Sequence, residues 1–264
     1  MAQFKYGDTA KLSEGYFDDP AYSQSDLKAV LDCPQLLWEM KHNGGRRKQP
    51  TAAMQSGTID HMAVLEPDRF DKTYAVCGPR NTKAGKAAAK AAEDAGLEPI
   101  TQAQYVEAHN VNAAIRQHPL AKQLLTNGQP EVSVYGEDAG TGLKVKGKLD
   151  WLDDQTIVDL KTAGPGGASP TAFTKQIVNF KYHLQAAHYL ELAQAKTFIF
   201  LVVEREPPYQ IGIYELDNDA LTEGRWLRKK ALDTVAFCRA ANSWPGYTPN
   251  QPQTLSLPAW AFDS

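Results

Sequence analysis

A chain of 264 residues with 42% hydrophobic content can bury one substantial core, and its formal net charge of −3 excludes a global attraction to nucleic acid, leaving such contacts to local basic patches. Three cysteines, Cys33, Cys77 and Cys238, stand too far apart for a disulfide framework or a CxxC-type zinc or iron–sulfur cluster, and are expected to be reduced packing residues. The opening residues lack a signal-peptide core and no apolar run approaches the ~18 residues of a membrane span, so the expectation is a cytoplasmic, soluble protein.

In chain order, Ser23 to Leu31 reads as a helix capped by Ser23 or Ser25, and Asp32-Cys33-Pro34 restarts a second helix to about His42, with Leu27, Leu31, Leu36, Leu37 and Trp38 as the packing surface. A basic loop over 43–50 leads to a helix over 51–65 that stops at Glu66-Pro67 and carries His61 near its end. Thr73 to Cys77 suggests a short strand, and the alanine- and lysine-rich run over 83–95 a surface helix or a mobile basic segment. Thr101, with Gln104 in capping-box position, opens a helix to about Gln117, and Pro119 a short one ending near Gly128. Glu131 to Tyr135 is then the first strand of a sheet that begins halfway along the chain.

The stretch from Lys144 to Lys161 reads as two strands joined by a two-residue turn at Asp153-Asp154. That register sets Leu152 opposite Gln155, Asp150 opposite Ile157 and Lys148 opposite Asp159. Alternation gathers Val145, Leu149, Trp151, Val158 and Leu160 on one face, and Lys146, Lys148, Asp150, Asp159 and Lys161 on a polar, solvent-facing one. Asp150 and Asp159 become diagonal neighbours with backbones roughly 7–8 Å apart, within reach of one cation. Oxygen ligands suit a hard ion such as Mg2+ or Mn2+, which in phosphodiester hydrolysis activates water and offsets the charge growing on phosphate. Lys161 is placed to hold the water or the phosphate. The same pattern also describes a solvated hairpin face with ordinary charges, and this stretch alone does not choose between the two.

Beyond the hairpin, the glycine-rich run over 162–168 reads as a mobile loop, and the chain has neither GxxxxGK[ST] nor GxGxxG, which points away from a nucleotide site. Ser169-Pro170 opens a helix. Another covers 181–194, with Gln185 and Tyr189 four residues apart on one face. Phe198 to Val203 is a central-type strand with a partner over 209–216. Asp217 caps a long helix to Ala241 that offers Leu221, Leu227, Leu232, Val235 and Phe237 for burial, before an extended tail. Candidate basic patches are Arg46, Arg47 and Lys48; Lys83, Lys86 and Lys90; and Arg225, Arg228, Lys229 and Lys230, each of a kind more often a solvated face than a nucleic-acid contact.

Several separate stretches, in order, carry a family resemblance. They are Ser23-Gln24-Ser25, Cys33-Pro34, the run from Gly57 to His61 followed by Leu65-Glu66-Pro67, Glu131, Lys148-Leu149-Asp150, Asp159 to Thr162, and Gln185 with Tyr189. Together they resemble the PD-(D/E)xK nuclease superfamily, and within it the RecE-type exonucleases of prophages, related to the RecB nuclease domain and lambda exonuclease. The resemblance implies an α/β fold: a restriction-endonuclease-like core with a mixed central sheet flanked by helices, and a helical N-terminal region. It implies one nuclease domain over 1–264, with a helical part (1–128) contributing His61, a catalytic core (129–241) and an extended tail (242–264).

By the same resemblance, His61, Asp150, Asp159 and the Leu160 backbone carbonyl hold Mg2+, with Mn2+ as an alternative ion, and Glu131 is a further acid whose ligation is open. Lys161 is the catalytic lysine, and Gln185 and Tyr189 belong to a helix motif that positions the lysine, the loop or the DNA backbone. The iron–sulfur cysteines of some relatives are missing, so that cofactor is not expected. Where RecE-like chains often carry arginine, Lys148 keeps the charge and loses the bidentate fork. The implied activity is a metal-dependent exodeoxyribonuclease that degrades double-stranded DNA from its ends, 5′ to 3′. It would leave a 3′ overhang for a recombinase or single-strand annealing protein, and act as a ring-shaped homo-oligomer. The competing readings are a DNA-binding or assembly factor with an inactive nuclease fold, and an endonuclease or single-strand nuclease of the same superfamily.

Overall fold

A capping box opens the helical half of the protein. Ser23 Oγ accepts from the Asp26 amide at 3.3 Å while Asp26 Oδ2 accepts from the Ser23 amide at 2.7 Å, so helix α1 (Gln24–Asp32) starts where two otherwise unpaired amides find acceptors. Pro34, in the first turn of α2 (Pro34–His42), ends one helix and restarts the next. The structure, a computed structural model, describes residues 15–43, 51–247 and 252–258; Arg46, Arg47 and Lys48, and nearly all of the expected basic loop, lie outside them.

Thr51 caps α3 (Ala52–Leu65), and α4 (Pro67–Thr73) follows at once. Then come β1 (Tyr74–Cys77), α5 (Lys83–Asp94), β2 (Glu98–Thr101), α6 (Gln102–Gln117) and α7 (Pro119–Leu124). The sequence reading lacks α4 and β2. The second of these is four residues long, contains Pro99 and shows no alternation, so only its parallel pairing, Tyr74 with Glu98 through Cys77 with Thr101, makes it a strand.

The main sheet holds β3 (Gln129–Glu137), β4 (Lys144–Asp153), β5 (Thr156–Ala163), β6 (Thr197–Glu204) and β7 (Ile211–Glu215) side by side in chain order. All neighbours are antiparallel except β5 and β6, which run parallel and are joined through α8 (Pro170–Asn179) and α9 (Tyr182–Ala193). This mixed sheet lies between two helical layers. On one face, Val132, Leu149, Phe198, Phe200 and Val202 pack with Leu184 of α9, Leu27 of α1, and Leu232 and Val235 of α10 (Asn218–Ala241). On the other, Trp151, Val158, Leu160, Leu201 and Val203 pack with Val64 and Leu65 of α3, and Val111 and Ile115 of α6. Each fully buried side chain of this type contributes roughly 1.5–3 kcal/mol.

Three expectations need correction. The hairpin turn falls at Asp154-Gln155, with Asp153 paired to Thr156 and Trp151 to Val158, because Asp154 takes the left-handed conformation (φ 44°) that aspartate tolerates. The register moves by two residues, an even shift that by itself leaves the two faces of the pair unchanged. The apolar set nevertheless divides: Val145 and Leu149 join the α9 side, while Trp151, Val158 and Leu160 join the α3 side. Regular pleating would keep Leu149 and Trp151 together. The switch falls at Asp150, where the β3–β4 ladder passes from Pro130–Trp151 to Val132–Leu149, leaving out Glu131 and Asp150, and Glu131 itself has φ 56°.

The third correction concerns α10. Phe237 is 71% exposed, because two residues beyond Val235 the helix has turned to its opposite side. Arg228, expected in a basic patch, is buried against Asp138 and Glu191, both at 3.0 Å, and Lys229 is paired with Asp233 at 2.5 Å. No described helix is long and apolar enough to cross a membrane. The three cysteines are buried and free.

Candidate metal centre and active cleft

Where β4 and β5 part, a carboxylate replaces the ladder. The β4–β5 ladder ends at Trp151–Val158, and the next inward-facing amide, that of Leu160, donates to Asp150 Oδ2 at 2.8 Å. This bond fixes Asp150 at the fork between the strands. His61, near the end of α3, brings Nδ1 to 3.7 Å from the same oxygen. Glu131 completes the group: one donor atom each from His61, Glu131 and Asp150 lies within 4.8 Å of the others, and all three side chains are partly open to solvent. The left-handed backbone at Glu131 costs roughly 1–2 kcal/mol, and it occurs at the residue whose carboxylate joins this group. Lys148 also ion-pairs with Glu131.

Asp159 is placed differently from Asp150. It is 1% exposed rather than solvent-facing, with Oδ2 bound by the Lys161 ammonium and Oδ1 accepting from Gln185 Nε2 at 2.6 Å. Lys161 Nζ lies 4.8 Å from the centre of the Tyr182 ring, and Lys28 Nζ of α1 lies 5.3 Å from the same ring. These residues line a cleft of about 470 Å³ together with Gln24, Gly57, His61, Asp150, Leu160 and Tyr189.

The electrostatics favour a cation. Burial and then the Asp159 charge push the Asp150 carboxyl well above the usual range. A divalent ion would relieve this repulsion. Burial and then Lys161 lower the His61 pKa, keeping the imidazole neutral and its lone pair free for ligation. Burial opposes the charge on Lys161, but Asp159 and Asp150 outweigh it and raise its pKa. Two carboxylates and one imidazole form a donor set that fits a hard divalent cation.

Residues 23–251 match the family described as a PDDEXK-like domain of unknown function, DUF3799. The chain belongs to this family. Among solved structures, the PDDEXK-like chain is similar to a putative exonuclease from Eubacterium rectale, with a TM-score of 0.66 at 15% sequence identity, covering 97% of this chain and 98% of that one. That likeness shows a shared fold. A phage related exonuclease from Haemophilus somnus 129PT aligns over 84% of this chain and 96% of that one at 13% identity, with a TM-score of 0.37, too low to inform the fold further. No curated protein matches the chain.

The resemblance to the PD-(D/E)xK superfamily read from the sequence is thus the family the chain matches, and the mixed sheet flanked by helices is its fold. The PDDEXK-like fold brings His61, Asp150, Asp159, Leu160, Lys161, Gln185 and Tyr189 to one cleft, with Glu131 in the donor group at its edge. Asp159 is outside that tight group, its oxygens being engaged by Lys161 and Gln185. Tyr189 is buried, and its ring packs so closely on β4 that a Cβ on Gly147 would meet it at 2.9 Å. Sequence reasoning missed Lys28 and Tyr182. The only local signal for Lys28 is its position four residues after Gln24 on α1, which puts both on one helix face; Tyr182 carries no signal of its own.

Proposed function

We propose that this protein is a divalent-metal-dependent deoxyribonuclease that degrades double-stranded DNA from its ends. The observation that carries the reading is the convergence of His61, Glu131 and Asp150 within 4.8 Å at a cleft that also holds Asp159 and Lys161. Family membership supports phosphodiester chemistry, and the relative of similar fold bears the description putative exonuclease. The second core joins helices α3 and α6 to the sheet, which supports treating the two halves as a single nuclease domain.

His61, Asp150 and Glu131 would hold the ion, with Asp159 and the Leu160 carbonyl as further ligands. When bound, Mg2+ or Mn2+ supplies Lewis-acid polarisation and positive charge to the scissile phosphate. The chain's own groups supply the rest. Lys161, kept protonated by its two acids, sets a fixed positive charge where the phosphate gains negative charge. Gln185 holds Asp159 in place, and the Tyr182 ring steadies the ammonium of Lys161. Lys28, whose pKa burial and then Lys161 lower to about 7, adds to the cleft wall an amine that exchanges its proton near neutral pH. The finer parts of the proposal are 5′ to 3′ polarity, a 3′ overhang passed to a recombinase or annealing protein, and a ring-shaped homo-oligomer.

Linear and covalently closed duplexes incubated with Mg2+, Mn2+ or EDTA test the reading. Metal-dependent release of nucleotides from the linear DNA alone is expected, and duplexes labelled at the 5′ or 3′ end give the polarity. Cutting of the closed circle would replace the exonuclease by an endonuclease. Retardation of DNA without release would make the protein a binding factor with a silent nuclease fold.

A further inference from the structure

Arg205 stands just past the end of β6, in none of the stretches that carry the family resemblance, and it joins the two halves of the candidate metal centre. Its backbone amide donates to the Ala163 carbonyl at 3.0 Å, fastening it to the last residue of β5, the strand that bears Asp159 and Lys161. Its guanidinium grips two carboxylates of the helical half. Nε binds Asp60 Oδ2 at 2.7 Å, and Nη2 binds Glu107 Oε1 at 2.9 Å. Asp60 is 1% exposed and directly precedes His61 on α3, while Glu107 lies on α6.

We propose that Arg205 is a positioning residue that holds His61 against Asp150 and thereby sets the affinity of the site for a divalent cation. This rests on the metal-centre reading above. Adjacent helical residues point about 100° apart, so a clamp on Asp60 fixes the rotation and depth of the backbone that carries His61. The planar guanidinium reaches both carboxylates from one fixed plane, a geometry lysine cannot reproduce. Helix α3 has other attachments: Val64 and Leu65 sit in the second core, and Arg116 Nη2 donates to the Val64 carbonyl at 2.8 Å. Losing Arg205 should therefore leave α3 docked and loosen the turn that carries His61.

The test is Mn2+ binding, read by electron paramagnetic resonance, in the parent chain and in Arg205→Gln, Arg205→Lys, Glu107→Gln, His61→Ala and the Arg205→Gln/His61→Ala pair. Circular dichroism and Tm confirm folding. Arg205→Gln should weaken Mn2+ binding about 10–100-fold, as losses around metal ligands do. Arg205→Lys and Glu107→Gln should weaken it less, and they carry the test if Arg205→Gln does not fold. Adding Arg205→Gln to His61→Ala should cost nothing further, which a general structural brace would not produce. In metal-free protein, the 15N ring resonances of His61 should shift in Arg205→Gln. Affinity within about two-fold of the parent with unmoved ring signals, or an equal loss in both His61 backgrounds, overturns the proposal. A parent chain that binds no Mn2+ removes the metal-centre reading instead, and the ring signals alone then decide the role of Arg205.

Discussion

Gln185 Nε2 donates to Asp159 Oδ1 at 2.6 Å, linking a helix on one side of the sheet to the buried acid of β5. The other Asp159 oxygen belongs to Lys161, so this carboxylate is held from both sides. Gln185→Ala leaves a buried charged oxygen without its donor, which costs about 1–3 kcal/mol. The expected result is a fall of about 2 kcal/mol in urea-denaturation stability and about a ten-fold fall in turnover. Gln185→Glu, which sets a like charge against Asp159, should lose more. Unchanged stability and turnover in Gln185→Ala would deny the contact any role.

Lys161 ion-pairs with Asp159, and its ammonium has no lone pair to offer a metal ion. Lys161→Ala should leave Mn2+ affinity within about three-fold of the parent while turnover falls about 10²–10³-fold, the scale of losing one preorganised charge at a reacting phosphate. Titration calorimetry and nucleotide release measure the two. Parent-like turnover would remove Lys161 from the chemistry.

Gly147 on β4 lies against the Tyr189 ring, and a Cβ there would come within 2.9 Å of Tyr189 and 3.1 Å of Leu192. Gly147→Ala therefore overfills the contact between α9 and the sheet, at a cost of about 1–3 kcal/mol. A lowered Tm with retained secondary structure is the expected outcome. A Tm equal to the parent's would mean that α9 moves away freely.

His188 is fully buried, its Nε2 within 3.1 Å of the Lys146 carbonyl and its Nδ1 accepting from Arg228 Nε at 3.4 Å. The carbonyl requires a proton on Nε2 and the guanidinium requires a bare Nδ1, so only the neutral ring satisfies both partners. Burial and then Arg228 lower its pKa to about 4, against about 6.5 in the unfolded chain. The unfolded state thus binds more protons between these values. The stability contribution is complete above pH 6.5 and falls away as the pH drops toward 4, by about 3 kcal/mol in all. Denaturation at pH 7.5, 5.5 and 4.5 should follow that slope, and His188→Gln should flatten it. An identical slope in the variant would assign the effect to other groups.

Most elements were legible in the chain itself because their signals are local: the serine cap at Ser23 or Ser25, the capping box at Thr101, the prolines at 34, 119 and 170, the near-continuous apolar run of β6, and the strand-type patterning on either side of the hairpin turn. The residue types Asp150, Asp159, Lys161 and His61 were legible for the same reason, as chemistry written in short stretches. Tertiary structure alone decided where the hairpin turns, that the side-chain alternation switches at Asp150, that Glu131 joins His61 and Asp150, and that Arg205 clamps the residue before His61. Pairing between strands and approach between distant helices are set by packing of whole layers. A left-handed residue in mid-strand, or an arginine reaching across the fold, leaves no period in the sequence by which to find it.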